Sequence, residues 1–202
     1  GPVDPEKYRM LNLAKIPFVI IEDHPDPSIA SVCADVHPST YRCIKAILDA
    51  GFSRLAYIGM TTSRILFTDI QKFRAYLEAM DDVMHTVDFS LVRHVWPSPD
   101  YAYEAFRDIL RKFGPPQVVF ITSDFVAPGI FKAAGEAGFL IPEHIQILSC
   151  DTLKTNLKIS LASIDVPKKE MGRQGIRTLL DLIADPGKHK KPKLRLSTSF
   201  VP

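Results

Sequence analysis

Short apolar runs alternate with longer amphipathic stretches along most of this chain, the pattern that parallel strand–helix units leave in a sequence. Apolar or β-branched runs at 18–22, 31–35, 54–58, 91–95, 117–122 and 146–150 predict strands. Several are continuous enough to be covered on both faces. Helices are predicted at 38–50, 68–80, 101–113 and 125–137, and Gly51, Gly114 and Gly138 each stand where a helix C-terminus would need them. In the first of these, Tyr41, Ile44, Ile47 and Leu48 share a face that Arg42, Lys45 and Asp49 avoid. A further strand at 160–165 leads into a last long helix, 168–184, with Met171, Ile176, Leu179, Leu180 and Ile183 as its expected buried side. The tail, 193–201, alternates apolar and polar positions as one half-exposed strand would. The first 35 residues offer only two strands and one helix, too few to shield both faces of a sheet alone. Either those strands join the later sheet, or a lobe lacks its beginning.

Composition narrows the class. Of the 202 residues, 46% are apolar and 24% charged, as in an ordinary globular protein. A net charge of +2 supplies no long-range field toward nucleic acid or anionic lipid. The basic run at 188–193 sits among Pro186, Gly187 and Pro192 and reads as a solvated loop. Cys33, Cys43 and Cys150 share no metal-ligand spacing and suit free buried thiols in a reducing compartment. No stretch approaches the roughly 20 apolar residues of a membrane span. The chain begins at Gly1 rather than Met, so its native start is expected upstream.

Signals of catalysis are missing. No GxSxG, GxGxxG, Walker-type loop, HExxH or CxxC occurs. The six histidines are scattered, His144 falls in a loop, and Asp81-Asp82 ends a helix with no partner in view. Ser123-Asp124 lacks a nearby base. Neither an enzyme, a metal site nor a cofactor is expected.

Several segments, taken in order, carry a resemblance. They are IPFVIIE (16–22), LDAGFSRLAYIG (48–59), VFITSDFVAPG (119–129), GFLIPEHIQILSCD (138–151), LASI (161–164), and Val166-Pro167 through Met171-Gly172. No single fragment is specific; their joint order and spacing resemble the effector-binding domain of the LacI/GalR (lactose-repressor-like) family. The resemblance implies an α/β, two-lobed periplasmic-binding-protein-like (type I) fold of parallel sheets flanked by helices, with an incomplete N-terminal lobe. Residues 1–35 and 164–190 would form that lobe, and 36–163 with 191–202 the C-terminal one. Crossings are expected near 35–36, near 163–165 and in the loop before Lys193. Three N-terminal strands and a DNA-binding headpiece would be missing.

The implied function is a ligand-sensing and dimerisation domain of a cytoplasmic transcription regulator. A small polar effector, a sugar or a derivative, would fill the interlobe cleft of a homodimer that reaches DNA through the missing head and contacts no membrane. Two alternatives stand beside it: an exported sugar-binding protein of a transport system, and a degenerate dimerisation module without ligand.

Sugar recognition calls for carboxylates or amides against hydroxyls and an aromatic face against the ring. Asp124 and Asp151 each follow an apolar strand, where ligands bind in open α/β sheets, and both match ligand-contacting aspartates of the family. Asp124 could instead cap the following helix. Trp96, the lone tryptophan, leaves a strand near a position where the family stacks an aromatic, or it belongs to the core. Glu22 stands at another strand end, where Asp23 could substitute for it. The family arginine that grips the ligand is replaced by Asp69, with Lys72 at a glycine position, and Ser123 replaces an asparagine. A carboxylate cannot stand in for a forked donor. Arg64, five residues earlier, is the alternative donor for that spot. The pocket is therefore expected to bind an unusual ligand, or none.

Overall fold

The apolar runs become strands of two separate sheets. A computed structural model of the chain describes residues 5–62, 66–151, 161–185 and 191–202. In chain order the elements are α1 (Pro5–Leu13), β1 (Val19–Ile20), β2 (Ala30–Asp35), α2 (Val36–Asp49), β3 (Leu55–Met60), α3 (Phe67–Met84) and β4 (Val92–Val95). There follow α4 (Pro99–Phe113), β5 (Val118–Ile121), α5 (Ala127–Glu136), β6 (Gln146–Cys150), β7 (Ala162–Asp165), α6 (Lys168–Ala184), β8 (Lys193–Ser197) and β9 (Ser199–Val201). A six-stranded sheet runs β4-β3-β5-β6-β7-β9, parallel except for β9, and a three-stranded parallel sheet runs β1-β2-β8. Among the described residues no helix is long and apolar enough to cross a membrane.

Helix α4 shows how local sequence sets an element. The Ser98 hydroxyl accepts from the Asp100 N–H at 3.2 Å, Pro99 opens the helix, and Gly114 ends it at φ 76°. Arg111 and Lys112 occupy its last turn, where their charge complements the carbonyl end. Its inner face, Ala102, Phe106 and Ile109, is buried with Ile121 and Ile130 on one side of the large sheet. On the other side α2 and α3 bury Ile44, Leu48, Tyr76 and Met80 against Tyr57 and Phe120. Burying a side chain of this size stabilises by about 1.5–3 kcal/mol relative to exposure.

Two expectations are corrected. The tail does not form one strand. Lys193–Ser197 pairs in parallel with β2, and after Thr198 the chain pairs Ser199–Val201 with β7 in the other sheet. The third crossing therefore lies at Thr198, and 193–197 belongs to the small sheet. Without β8, the edge of β2, whose Val32, Cys33 and Ala34 are buried, would be left unpaired. Helix α6 buries Gly175, Thr178 and Leu182 instead of its larger side chains, and Ile176, Leu180 and Ile183 stay 62%, 59% and 53% exposed. Small residues let this helix approach the sheet: a Cβ on Gly175 would come within 2.5 Å of Ile21 Cδ1.

Candidate functional site

The two sheets meet where the chain crosses between them, and the strand ends converge there. Asp35 is followed at once by α2, β7 runs through Val166-Pro167 into α6, and Thr198 joins β8 to β9. Thr198 Oγ1 donates to Asp35 O at 3.1 Å, and Ser39 Oγ donates to Thr198 O at 3.0 Å, so two crossings are tied side by side. Asp165 of the third pairs with Ser199.

Helix α3 carries the central side chains. An aromatic layer fixes it to the sheet: Phe73 lies 4.9 Å from Tyr57 and 4.8 Å from His94, ring to ring. The Tyr76 hydroxyl donates to Leu55 O at 3.1 Å. One turn nearer its start, Asp69 is 9% exposed and Lys72 4% exposed. Lys72 Nζ donates to Thr122 O, just past the end of β5, at 2.9 Å, and lies 3.8 Å from Asp69 Oδ1. Burial alone would push the Lys72 ammonium down, but Cys150, Asp151, Asp69 and Glu22 around it outweigh that and hold it above the usual lysine range. Burial pushes the Asp69 carboxyl up to about 6, Lys72 opposes the rise, and Glu22 and Asp151 add to it. The Cys150 thiol, buried beneath them, is pushed up to about 11 by desolvation and is un-ionised at neutral pH.

Glu22 enters from the small sheet, just beyond β1. Its Oε2 accepts from Thr68 Oγ1 at 3.3 Å, and its Oε1 from the Asp23 N–H at 3.2 Å. Asp151 follows β6 with φ 98°, its N–H donating to Ile164 O at 3.0 Å. That left-handed conformation costs a non-glycine residue about 1–3 kcal/mol and is kept mostly where a side chain must be aimed. Lys168 Nζ donates to the Asp151 carbonyl.

Asp69 thus stands beside Lys72, Glu22 and Asp151 are near enough to act on both, and Asp124 is buried near enough to act on Cys150. Asp124 does not cap a helix. Ser123 does so, its Oγ accepting from the Phe125 N–H at 3.4 Å, while Asp124 opens a 3-10 turn before α5. Ser123 is buried by that task. Trp96 leaves β4 at the same end of the sheet and is 50% exposed. Arg64 lies outside the described residues, as does the basic loop through 190. Sequence reasoning gave no role to Lys72, Thr68 or Thr122. The signal for Lys72 was present: 69, 72, 76 and 79 fall on one helical face, and a lysine there must be buried.

Among the described residues no group of three His, Cys, Asp or Glu is placed to hold a metal ion. A separate groove of about 530 Å³ lies between α2 and the β6-β7-β9 edge, lined by Ile47, Phe52, Val118, Ile147, Leu148 and Phe200 among others. Its floor suits apolar contact, not a polyol.

The profile of the periplasmic binding protein-like domain matches residues 44–202. The chain belongs to that family. Similar proteins include the HTH-type transcriptional repressor MelR of Bacillus subtilis (strain 168), 28% identical over 176 residues, which are 81% of this chain and 49% of MelR. The chain spans about half the length of the curated relatives it matches. Among solved structures, the transcriptional regulator CelR–cellobiose complex superposes with a TM-score of 0.88 at 21% identity, covering 98% of this chain and 62% of that one. A LacI family transcriptional regulator from Enterococcus faecium with bound ribose gives 0.86 at 21% identity, covering 99% and 74%. These likenesses establish the two-sheet periplasmic binding protein-like fold for this chain.

Proposed function

We propose that this domain senses a small polar effector, a sugar or sugar derivative, for a cytoplasmic transcription regulator of the lactose-repressor type. The observation that carries the reading is the start of α3, where Thr68 meets Glu22 of the small sheet while the buried Lys72, beside Asp69, meets Thr122 O past the end of β5 in the large one. Asp151 and Asp124 would accept from ligand hydroxyls, Trp96 would cover the ring, and Lys72 would hold Asp69 in place. Ser123 serves the turn that presents Asp124. Cellobiose and ribose in the neighbouring structures support a sugar as the ligand class. Closure of the two sheets over the effector would shift the geometry of a homodimer, and with it DNA binding by a head elsewhere in the whole protein. Coupling of this kind is typically about 1–3 kcal/mol. The regulator relatives favour this role over catalysis and over export for transport.

Trp96, the single tryptophan, makes the test direct. Titration with pentoses, hexoses and disaccharides should give a saturable change in its fluorescence and a matching rise in melting temperature. Saturation at 100 times Kd adds about 2.7 kcal/mol of stability. A flat response in both readouts across the whole panel would favour the degenerate, ligand-free module.

A further inference from the structure

We propose that Lys72 is a positioning residue of this site: its ammonium turns the Thr122 carbonyl out of the sheet and so sets the turn that presents Asp124. The inference rests on the sensor reading above and assigns the residue that aims one of its ligand contacts.

The hydrogen bonds at the end of β5 carry the argument. Strands β3 and β5 pair in parallel, with Leu55 opposite Val118 and Ile58 opposite Ile121. In such a ladder a residue that donates its N–H to one carbonyl of the neighbouring strand accepts, through its own carbonyl, from the N–H two residues further on. Thr122 begins that pattern, its N–H donating to Ile58 O at 3.1 Å. Its carbonyl would next accept from the Met60 N–H. Instead the Met60 N–H donates to the Thr122 hydroxyl, Oγ1, at 3.1 Å, and the carbonyl accepts from Lys72 Nζ at 2.9 Å. The hydroxyl has taken the place of the carbonyl, and the pairing of β3 with β5 stops at Ile121.

An ammonium can hold that exchange in place. Charge-assisted hydrogen bonds are stronger than neutral ones, so Lys72 keeps the carbonyl against the competing backbone N–H. Lys72 and Thr122 are both buried, where an oxygen or a donor left unpaired is costly. The place of Nζ is decided elsewhere on α3. Phe73 packs on Tyr57 and the Tyr76 hydroxyl donates to Leu55 O, so the helix cannot slide along β3 without breaking both contacts. The consequence falls on the residues that follow. Ser123 continues extended, at φ −155° and ψ 138°, and its Oγ accepts from the Phe125 N–H at 3.4 Å. Its carbonyl accepts from the Val126 N–H at 3.3 Å, which closes the 3-10 turn Asp124–Val126. Asp124 opens that turn. Lys72 therefore acts through the place it gives Asp124 and need not touch the ligand.

The test is calorimetric titration of the whole chain and its variants with D-ribose, D-glucose, D-galactose and cellobiose, after circular dichroism has shown each variant folded. Lys72→Met keeps the length of the side chain and removes the donor. Thr122→Val removes the hydroxyl and sends the Met60 N–H back to the carbonyl. Each should weaken the tightest of these sugars at least about tenfold, and Thr122→Ser, which keeps the hydroxyl, should stay within about threefold of the wild type. The double variant Lys72→Met/Thr122→Val should bind within about threefold of the weaker single one, because both changes undo the same exchange of partners. Should Lys72→Met fail to fold, the two Thr122 variants give the same readout. Wild-type affinity in folded Lys72→Met or Thr122→Val, or losses that multiply in the double variant, overturns the positioning role and leaves the sensor reading standing. Failure of the wild type to bind any of the four sugars counts against the sensor reading, and the NMR amide signals of Phe125 and Val126 in the ligand-free protein then decide on Lys72. Signals displaced in Lys72→Met and Thr122→Val but not in Thr122→Ser uphold its hold on the turn; signals unmoved in all three overturn it.

Discussion

Asp69 is a carboxylate that its surroundings hold against ionisation, and this fixes the sign of a pH effect. Its carboxyl rises from 3.8 to about 6, chiefly by burial, with Lys72 opposing and Glu22 and Asp151 reinforcing. Between those two values the folded protein keeps a proton that the unfolded chain has released, so stability falls as pH climbs through that window and levels off above about 6. The expected loss is on the order of 2–3 kcal/mol at most. Asp69→Asn should remove it, so the gap between variant and wild type should widen from pH 4 to pH 6 in denaturant unfolding. Parallel curves across that range would mean that Asp69 is solvated and its carboxyl ordinary. Part of the cluster was legible at this scale: Glu22 and Asp151 stand at strand ends that the hydrophobic pattern marks, whereas Asp69 stood out only through the family resemblance. Lys72 was not. An ungapped alignment gave it a glycine's place and hence no role, and only the register of α3 against β5 shows that its ammonium reaches Thr122.

Among the elements, the α4–α5 pair makes a close backbone approach through a glycine. Gly129 in α5 faces the start of α4, where a Cβ would fall 2.0 Å from Pro99 O and 2.8 Å from Tyr103 N. Both are backbone atoms, so no side-chain rotation relieves the clash. Gly129→Ala should destabilise by about 1–3 kcal/mol, read as a lower denaturant midpoint at unchanged slope. Gly135 in the same helix has open space at its Cβ, and Gly135→Ala should stabilise by about 0.5–1 kcal/mol. If the two substitutions behave alike, the helices can separate at no cost and the close approach is not what orders them. Gly129 also shows why some element-level features escape a sequence reading. The helix itself is plain in the apolar period, while the partner that demands a glycine, Pro99, is adjacent in space but 30 residues away along the chain. The same holds for α6, whose apolar stripe suggested one buried face. Gly175, Thr178 and Leu182 form the real one because small side chains permit the closer approach. The break at Thr198 is invisible for a related reason, since the alternation runs on through it while the backbone changes sheets.

At the scale of the whole molecule, the three crossings at Asp35, Asp165 and Thr198 lie together, and the proposed closure of the two sheets would turn about that narrow band. Contacts at the start of α3 also bridge the sheets. Thr68 of α3 donates to Glu22, and the Arg195 guanidinium of β8 lies 5.4 Å from the centre of the Phe67 ring at the start of α3. The second pair joins the two halves through side chains that need not touch a ligand. Its weight in the closed arrangement should therefore be separable from ligand recognition. A cation over a ring at a partly exposed position is worth about 0.5–1 kcal/mol. Phe67→Ala removes it while leaving Arg195 its partner Asp23. Apparent affinity scales with the fraction of molecules in the binding-competent state, so a sugar that binds the wild type should bind the variant up to about fivefold more weakly. The order of preference among sugars should not change, because the groups at the strand ends are untouched. Calorimetric titration of the two proteins with one such sugar decides the matter. Equal affinities would mean that the crossings alone set the closed geometry, and a reordered preference would place Phe67 against the ligand itself.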